Sequence, residues 1–232
     1  MAKKPETGRA GGRGLSVRVK TAKKRSLSSA RWLERQLNDP YVAEAKRLNF
    51  RSRAAFKLIE IDDRFALLHT GDKVIDLGAA PGGWSQIAAQ RVRSAEGQGR
   101  VVAIDLLEIE PIPGVEFVQL DFLDHSAPGR LKEMLGGPAN LVMSDMAANA
   151  TGHRQTDHLK IMALCEAAVM FAREVLAPGG GFVAKVLRGG TEHQMLADMK
   201  QDFAQVRHMK PKASRADSAE MYVIATGFRA AE

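Results

Sequence analysis

The 232-residue sequence predicts an α/β fold, a doubly wound and mostly parallel sheet with helices on both faces. Three observations predict it. Short apolar runs recur from residue 73 to residue 228, helical stretches separate most of them, and acids close several of the runs. At 45% hydrophobic and 26% charged, the composition is that of an ordinary globular chain. No apolar run approaches the roughly 20 residues of a membrane helix. The basic start is not followed by the apolar stretch of a secretory signal. A single cysteine, Cys165, excludes an intrachain disulfide and a thiolate metal site. It suits a reducing compartment, and the expected location is cytoplasmic.

Positive charge concentrates at the beginning. The chain carries a formal +7, and residues 1–25 hold nine basic side chains against one acid, Glu6, so the remainder is close to neutral. This stretch is sparse in large apolar residues and cannot offset its ordering entropy by burial. Residues 1–27 therefore read as a disordered basic arm, of the kind that binds nucleic acid through counterion release. Residues 28–232 read as a single domain, with nothing to suggest an obligate oligomer; a monomer is expected.

Within that domain, residues 28–37 and 52–65 read as helices. Ser52 is a start signal for the second, which places Ala55, Phe56, Ile59 and Phe65 near one face. Residues 73–79, 100–106, 115–122, 140–147, 182–187 and 221–228 read as strands. The first five are nearly continuous in apolar residues, as strands buried on both faces are. Helices are expected over 83–92, 128–135, 157–176 and 192–203, and a mobile loop over 149–155 with Gly152 as hinge. Cys165 and Met162 read as core packing on an amphipathic helix. The six histidines have neither metal-ligand spacing nor a nucleophile partner, and no metal is expected.

Asp76-Leu77-Gly78-Ala79-Ala80-Pro81-Gly82-Gly83-Trp84-Ser85 follows a strand and opens a helix. Small residues there let a ligand approach the backbone. The glycine spacing does not match the dinucleotide fingerprint, and Pro81 removes an N–H. A nucleoside ligand lacking phosphate, S-adenosylmethionine being the common one, fits better than a pyrophosphate cofactor. Acids end successive strands at Asp76, Asp105, Asp121 and Asp145, where open parallel sheets bind ligands, and all four are expected on one crevice. Asp105 is placed for ribose hydroxyls, Asp121 for an adenine amino group, and Asp145 for the reacting end. Lys185 interrupts an apolar strand, an expensive burial unless paired. Lys57 and Glu220 are the polar residues that could join it and Asp145.

The motifs Ser52-Arg53-Ala54-Ala55-Phe56-Lys57-Leu58, Asp76 to Gln86, Met143-Ser144-Asp145-Met146-Ala147, Leu176-Ala177-Pro178-Gly179-Gly180, Phe182-Val183-Ala184-Lys185-Val186, Ser214-Arg215 and Ser218-Ala219-Glu220-Met221-Tyr222 occur in this order. On them, about 200 residues resemble the FtsJ/RrmJ (RlmE) family of bacterial rRNA 2′-O-ribose methyltransferases. The resemblance implies a Rossmann-like methyltransferase fold with a mostly parallel seven-stranded sheet, and S-adenosylmethionine as cofactor. It implies methylation of a uridine ribose in 23S rRNA on the large ribosomal subunit. It puts a catalytic tetrad on Lys57, Asp145, Lys185 and Glu220, and cofactor contacts on Gly82, Trp84, Asp105, Asp121 and Asp145. Ala148 stands where the family has proline, which frees the loop after Asp145. Rival readings keep the cofactor but change the acceptor to tRNA or an mRNA cap, or make the protein a ribosome-assembly factor. Arg31, Arg35, Lys46, Arg47, Arg51 and Arg53 together form a candidate RNA track, though each alone reads as an exposed helix charge.

Overall fold

A computed structural model describes Thr21 and residues 26–148, 152–188 and 193–230. Apart from Thr21, Ser26 and Leu27, the expected basic arm lies outside the described residues, as do residues 149–151 of the expected loop. The chain divides into two units, residues 1–44 and residues 45–232. Helix α1 (Leu27–Leu37) starts on Ser26, whose hydroxyl accepts the Ser29 N–H at 3.3 Å. Helix α2 (Pro40–Arg47) begins on proline, its first turn fixed by the Tyr41 N–H donating to the Asp39 carboxylate at 3.0 Å.

The second unit carries the sheet. Its elements are α3 (Ala54–Phe65), β1 (Lys73–Leu77), α4 (Gly83–Val92), β2 (Arg100–Asp105), β3 (Val115–Gln119), α5 (Ala127–Leu135) and β4 (Ala139–Ser144), then α6 (Arg154–Val175), β5 (Leu176–Leu187), α7 (His193–Asp202), β6 (Phe203–Met209) and β7 (Glu220–Phe228). The strands lie in the order β3-β2-β1-β4-β5-β7-β6. Strands β1 to β5 pair in parallel, and β7 runs antiparallel between β5 and β6. This is the expected doubly wound sheet.

Period-two alternation sorts the strand residues between two cores. Ile75, Leu77, Val102, Ile104, Phe182 and Val223 face α5, α6 and α7. Val74, Leu141, Met143, Val183, Tyr222 and Ile224 pack with Leu58 and Ile61 of α3 and with Trp84 and Ile87 of α4. Cys165 and Met162 are buried in the first core, as expected. The same alternation sends Asp76, Asp145, Lys185 and Glu220 to the face under α3 and α4.

Several local expectations need correction. Strand β3 is half-exposed because it forms a sheet edge, not buried on both faces. The buried face of α3 runs through Ala55, Lys57, Leu58, Ile61 and Asp62, while Phe56, Ile59 and Phe65 are only half-buried. Residues Arg154 and Gln155, placed in a loop by the sequence, open α6. Helix α2 and strand β6 were not expected.

The end of α3 shows what closes this second core. Ala66 adopts a left-handed conformation, φ 49°, and its N–H donates to the Asp62 carbonyl at 2.7 Å. The buried Asp62 carboxylate then accepts the N–H groups of Leu67 and Leu68 at 2.8 and 2.9 Å, turning both leucines inward. Asp62→Ala leaves two buried donors without an acceptor and is expected to cost about 3 kcal/mol. Both donors share Oδ1, so Asp62→Asn keeps their acceptor and should cost about 1 kcal/mol or less. Urea unfolding midpoints at constant slope measure both.

Candidate active site

Strand order reverses direction between β1 and β4, and a doubly wound sheet opens a crevice at the carboxyl ends of such a pair. Leu77 of β1 lies opposite Ser144 of β4, so the residues that follow, Gly78 and Asp145, emerge together. Gly78 is required by close approach: at φ +79°, a Cβ there would stand 2.6 Å from the Met146 side chain and 2.8 Å from its Cα. Its N–H and that of Ala79 donate to the Ile104 carbonyl, at 2.9 and 3.1 Å, which binds the turn to β2. Beside this turn lies a cleft of about 250 Å³, lined among others by Gly78, Asp105, Leu106, Asp121, Phe122 and Asp145.

Three of the four strand-end acids line this cleft. Asp105 accepts the Ala80 and Leu107 N–H groups, one on each oxygen, at 2.9 and 2.8 Å. It forms the turn and keeps a second lone pair free on each oxygen. Asp121 is exposed at the rim and accepts the Leu123 N–H at 2.9 Å. Asp76 departs from expectation. It is wholly buried away from the cleft, with the Ser85 hydroxyl donating to Oδ2 at 2.5 Å and no partner for Oδ1 among the described residues. Burial first, then the charges of Asp145 and Asp105, raise its pKa from 3.8 to about 7 against the Ser85 hydrogen bond.

Asp145 belongs to the cleft and to a chain of contacts beneath α3. The Lys185 ammonium donates to the Asp145 backbone carbonyl at 2.6 Å and to its Oδ1 at 3.1 Å. The Tyr222 hydroxyl donates to the same Oδ1 at 2.7 Å. Lys57 reaches down from α3 to the Tyr222 hydroxyl at 3.2 Å and to Glu220 Oε1 at 2.7 Å. The side chains of both lysines are about one-tenth exposed, those of both acids about one-sixth. Burial raises the pKa of Asp145, but the Lys185 and Lys57 charges, with the Tyr222 and Lys185 hydrogen bonds, outweigh it and hold the carboxyl below its ordinary range. Tyr222 is pushed well above 10, by burial first and then by Asp145 and Glu220, and remains a donor.

The structure thus brings Lys57, Asp145, Lys185 and Glu220 into one cluster and adds Tyr222, which the sequence reading did not select. The structure supplies what the sequence lacked for Tyr222: it lies directly opposite Lys185 in the β5–β7 pairing, and a buried tyrosine hydroxyl needs a partner. Gly82 and Trp84 stand outside the cleft lining. Gly82, at φ +103°, packs against Ile112 and Arg51. The Trp84 indole is buried, donates to the Ala54 carbonyl at 2.9 Å and stacks near Tyr222 at 5.5 Å between centroids. Both belong to the start of α4, Gly82 as its N-cap and Trp84 in its first turn. In the candidate RNA track, Arg51 donates to the carbonyls of Glu110 and Pro111, and Arg53 to that of Ala213. Both guanidinium groups hold neighbouring backbone segments in place.

A glycine turn at the switch point, carboxylates on successive strand ends and a single antiparallel strand β7 define the Rossmann-like methyltransferase class. Residues 50–228 match the family model described as FtsJ-like methyltransferase. The chain belongs to that family and is a methyltransferase. It is 66% identical over 217 residues to the "Ribosomal RNA large subunit methyltransferase E" of Azorhizobium caulinodans, covering 94% of this chain and 90% of that one. The protein of the same name from Xanthobacter autotrophicus is 67% identical over 218 residues, covering 94% and 86%. Among solved structures, one described as a candidate ribosomal RNA methyltransferase from Plasmodium falciparum is 28% identical with a TM-score of 0.69, covering 77% of this chain and 98% of that one.

The buried Asp76 generates a pH prediction. A carboxyl whose pKa rises on folding holds its proton more tightly when native, so the native state loses stability as pH climbs from about 3.8 to about 7. Asp76→Asn removes that loss. Denaturation between pH 4.5 and 8 should show the wild type declining relative to the variant, by on the order of 3 kcal/mol across that range.

Proposed function

We propose that this protein transfers a methyl group from S-adenosylmethionine to the 2′-hydroxyl of a uridine ribose in large-subunit ribosomal RNA, on the assembled subunit and in the cytoplasm. The observation that carries the reading is the double membership of Asp145, which lines the cleft and grips Lys185. The names of the relatives support the RNA, and the cleft fits the cofactor. Leu106 and Phe122 offer apolar walls for a base. Asp105 keeps lone pairs for ribose hydroxyls, Asp121 stands exposed for an amino group, and Asp145 is an anion suited to a cationic centre. The backbone of Gly82 and Trp84 opens the helix that borders the same turn.

Bound there, S-adenosylmethionine supplies an electrophilic methyl on a positively charged sulfur. The chain's own residues prepare the acceptor. Lys185 is the general base for the 2′-hydroxyl. Asp145 holds the Lys185 nitrogen in place through the backbone carbonyl and Oδ1, and the proton of the 2′-hydroxyl passes to that nitrogen in its unprotonated form. Lys57, steadied by Glu220 and by the Tyr222 hydroxyl, stabilises the oxyanion that develops as the proton leaves. Alignment of oxygen, methyl and sulfur supplies much of the rate, a role that the β5–β7 register, setting Lys185 opposite Tyr222, supports.

The test incubates the protein with labelled S-adenosylmethionine and large subunits from cells lacking the enzyme, with naked rRNA alongside. Nuclease digestion and mass spectrometry then identify the product. A 2′-O-methyluridine on the particle is the expected result; transfer to tRNA or capped RNA instead would replace the acceptor. Lys185→Ala should abolish turnover, a loss of at least roughly 10²-fold, with cofactor affinity nearly intact by calorimetry. Wild-type-like kcat removes it from the mechanism. The basic arm is the polyanion contact: RNA affinity should fall steeply with salt. Deleting residues 1–25 should flatten that slope by roughly 0.7–0.9 log units for each phosphate the arm neutralises. An unchanged slope removes the arm from RNA binding.

A further inference from the structure

The ten residues between β6 and β7, residues 210–219, form a surface connection that ordinarily would be mobile. Here they are tied down from α3. Glu60 takes the Lys212 N–H on one oxygen at 2.6 Å and the Ala213 N–H on the other at 2.9 Å. Arg53 donates to the Ala213 carbonyl. From within, the Lys210 ammonium caps the carbonyls of Ala216 and Ser218, at 3.1 and 2.6 Å. The next residue, Ser214, is buried, and its hydroxyl donates to Glu220 Oε1 at 2.8 Å. That is the oxygen that pairs with Lys57.

We propose that Ser214 and Glu60 are positioning residues for Lys57, and that the β6–β7 connection is the clamp through which they act. The inference rests on the reading of Lys57 as part of a methyl-transfer site. Lys57 and Glu60 lie one turn apart on α3, hence on one face. The contacts therefore close a ring: α3 to Glu60, Glu60 to the loop, Ser214 to Glu220, Glu220 to Lys57, and Lys57 back to α3. A lysine on a flexible four-carbon stem has no fixed direction of its own. Glu220, the first residue of β7, is likewise free to turn unless something holds its carboxylate. Ser214 holds it, and Glu60 holds Ser214 in place. Neither Glu60 nor Ser214 lines the cleft, and their contacts lead to the Glu220–Lys57 pair.

The test compares the full chain with Ser214→Ala, Ser214→Thr and Glu60→Gln in two readouts. The first is steady-state methyl transfer to large subunits, with cofactor affinity measured separately. The second is the 15N signal of the Lys57 ammonium, which ion pairing protects from exchange and which needs no turnover. Ser214→Ala should lower kcat about tenfold while KM and cofactor affinity stay within about twofold, and should shift or broaden the Lys57 signal. Ser214→Thr, which keeps the hydroxyl, should recover both; Glu60→Gln, which keeps one acceptor, should fall between. Wild-type kcat with an unmoved Lys57 signal in Ser214→Ala overturns the clamp, as does a loss that Ser214→Thr does not repair. If the wild type methylates no RNA, the proposed function fails on its own, and the Lys57 signal still decides the clamp.

Discussion

Two ammonium groups buried beneath one helix are the constraint on which this structure turns. An unpaired buried charge costs several kcal/mol, so Lys57 and Lys185 can exist where they do only if every neighbour is arranged for them. Asp145 and Glu220 balance the charge, and Tyr222 joins the two pairs by accepting from Lys57 and donating to Asp145. Each pair is neutral by itself, and the tyrosine hydroxyl ties the two into one hydrogen-bonded cluster. Removing any one member leaves a partner buried and uncompensated, which couples the stability of the sheet face under α3 to the integrity of the site.

The sheet makes that cluster possible by register. Lys185 faces Tyr222 and Leu187 faces Glu220 across the antiparallel β5–β7 pair, so a two-residue step along each strand sets the spacing of the polar groups. Strand β4 brings Asp145 in from the parallel side, at the point where strand order reverses. A wholly parallel sheet would carry the next strand's end to the same rim as Asp145. Inserting β7 in the opposite sense places the beginning of a strand there instead, and Glu220 is that beginning.

Much of this was legible in the sequence, for physical reasons. An apolar run closed by an acid is the pattern of a strand buried on both faces with its end at a polar rim, and the glycine turn stood out because its small residues follow such a run. Strand β6, with Gln205, Arg207 and His208 facing outward, carries a weak strand signal, and the eight-residue α2 carries a weak helical one. The expectation for β3 failed because apolar content does not tell an edge from an interior strand. The meeting of Lys57 with Glu220 spans more than 160 positions of sequence, and no local pattern encodes it; only the family resemblance placed them together. Tyr222 went unselected because a hydroxyl on an otherwise apolar strand looks like packing until its register partner is known.

Asp76 and Asp145 show how fully environment decides what a carboxyl is. Both end or follow neighbouring strands, both point to the same face of the sheet, and burial acts on both in the same direction. Asp145 meets two ammonium groups and stays ionised; Asp76 meets a single hydroxyl and is pushed toward the neutral form. The charge of Asp145 itself contributes to the upward shift of Asp76, so ionisation of the first opposes ionisation of the second. Two carboxyls on neighbouring strands are thus shifted in opposite directions, and what separates them is the pair of ammonium groups that α3 and β5 bring to Asp145.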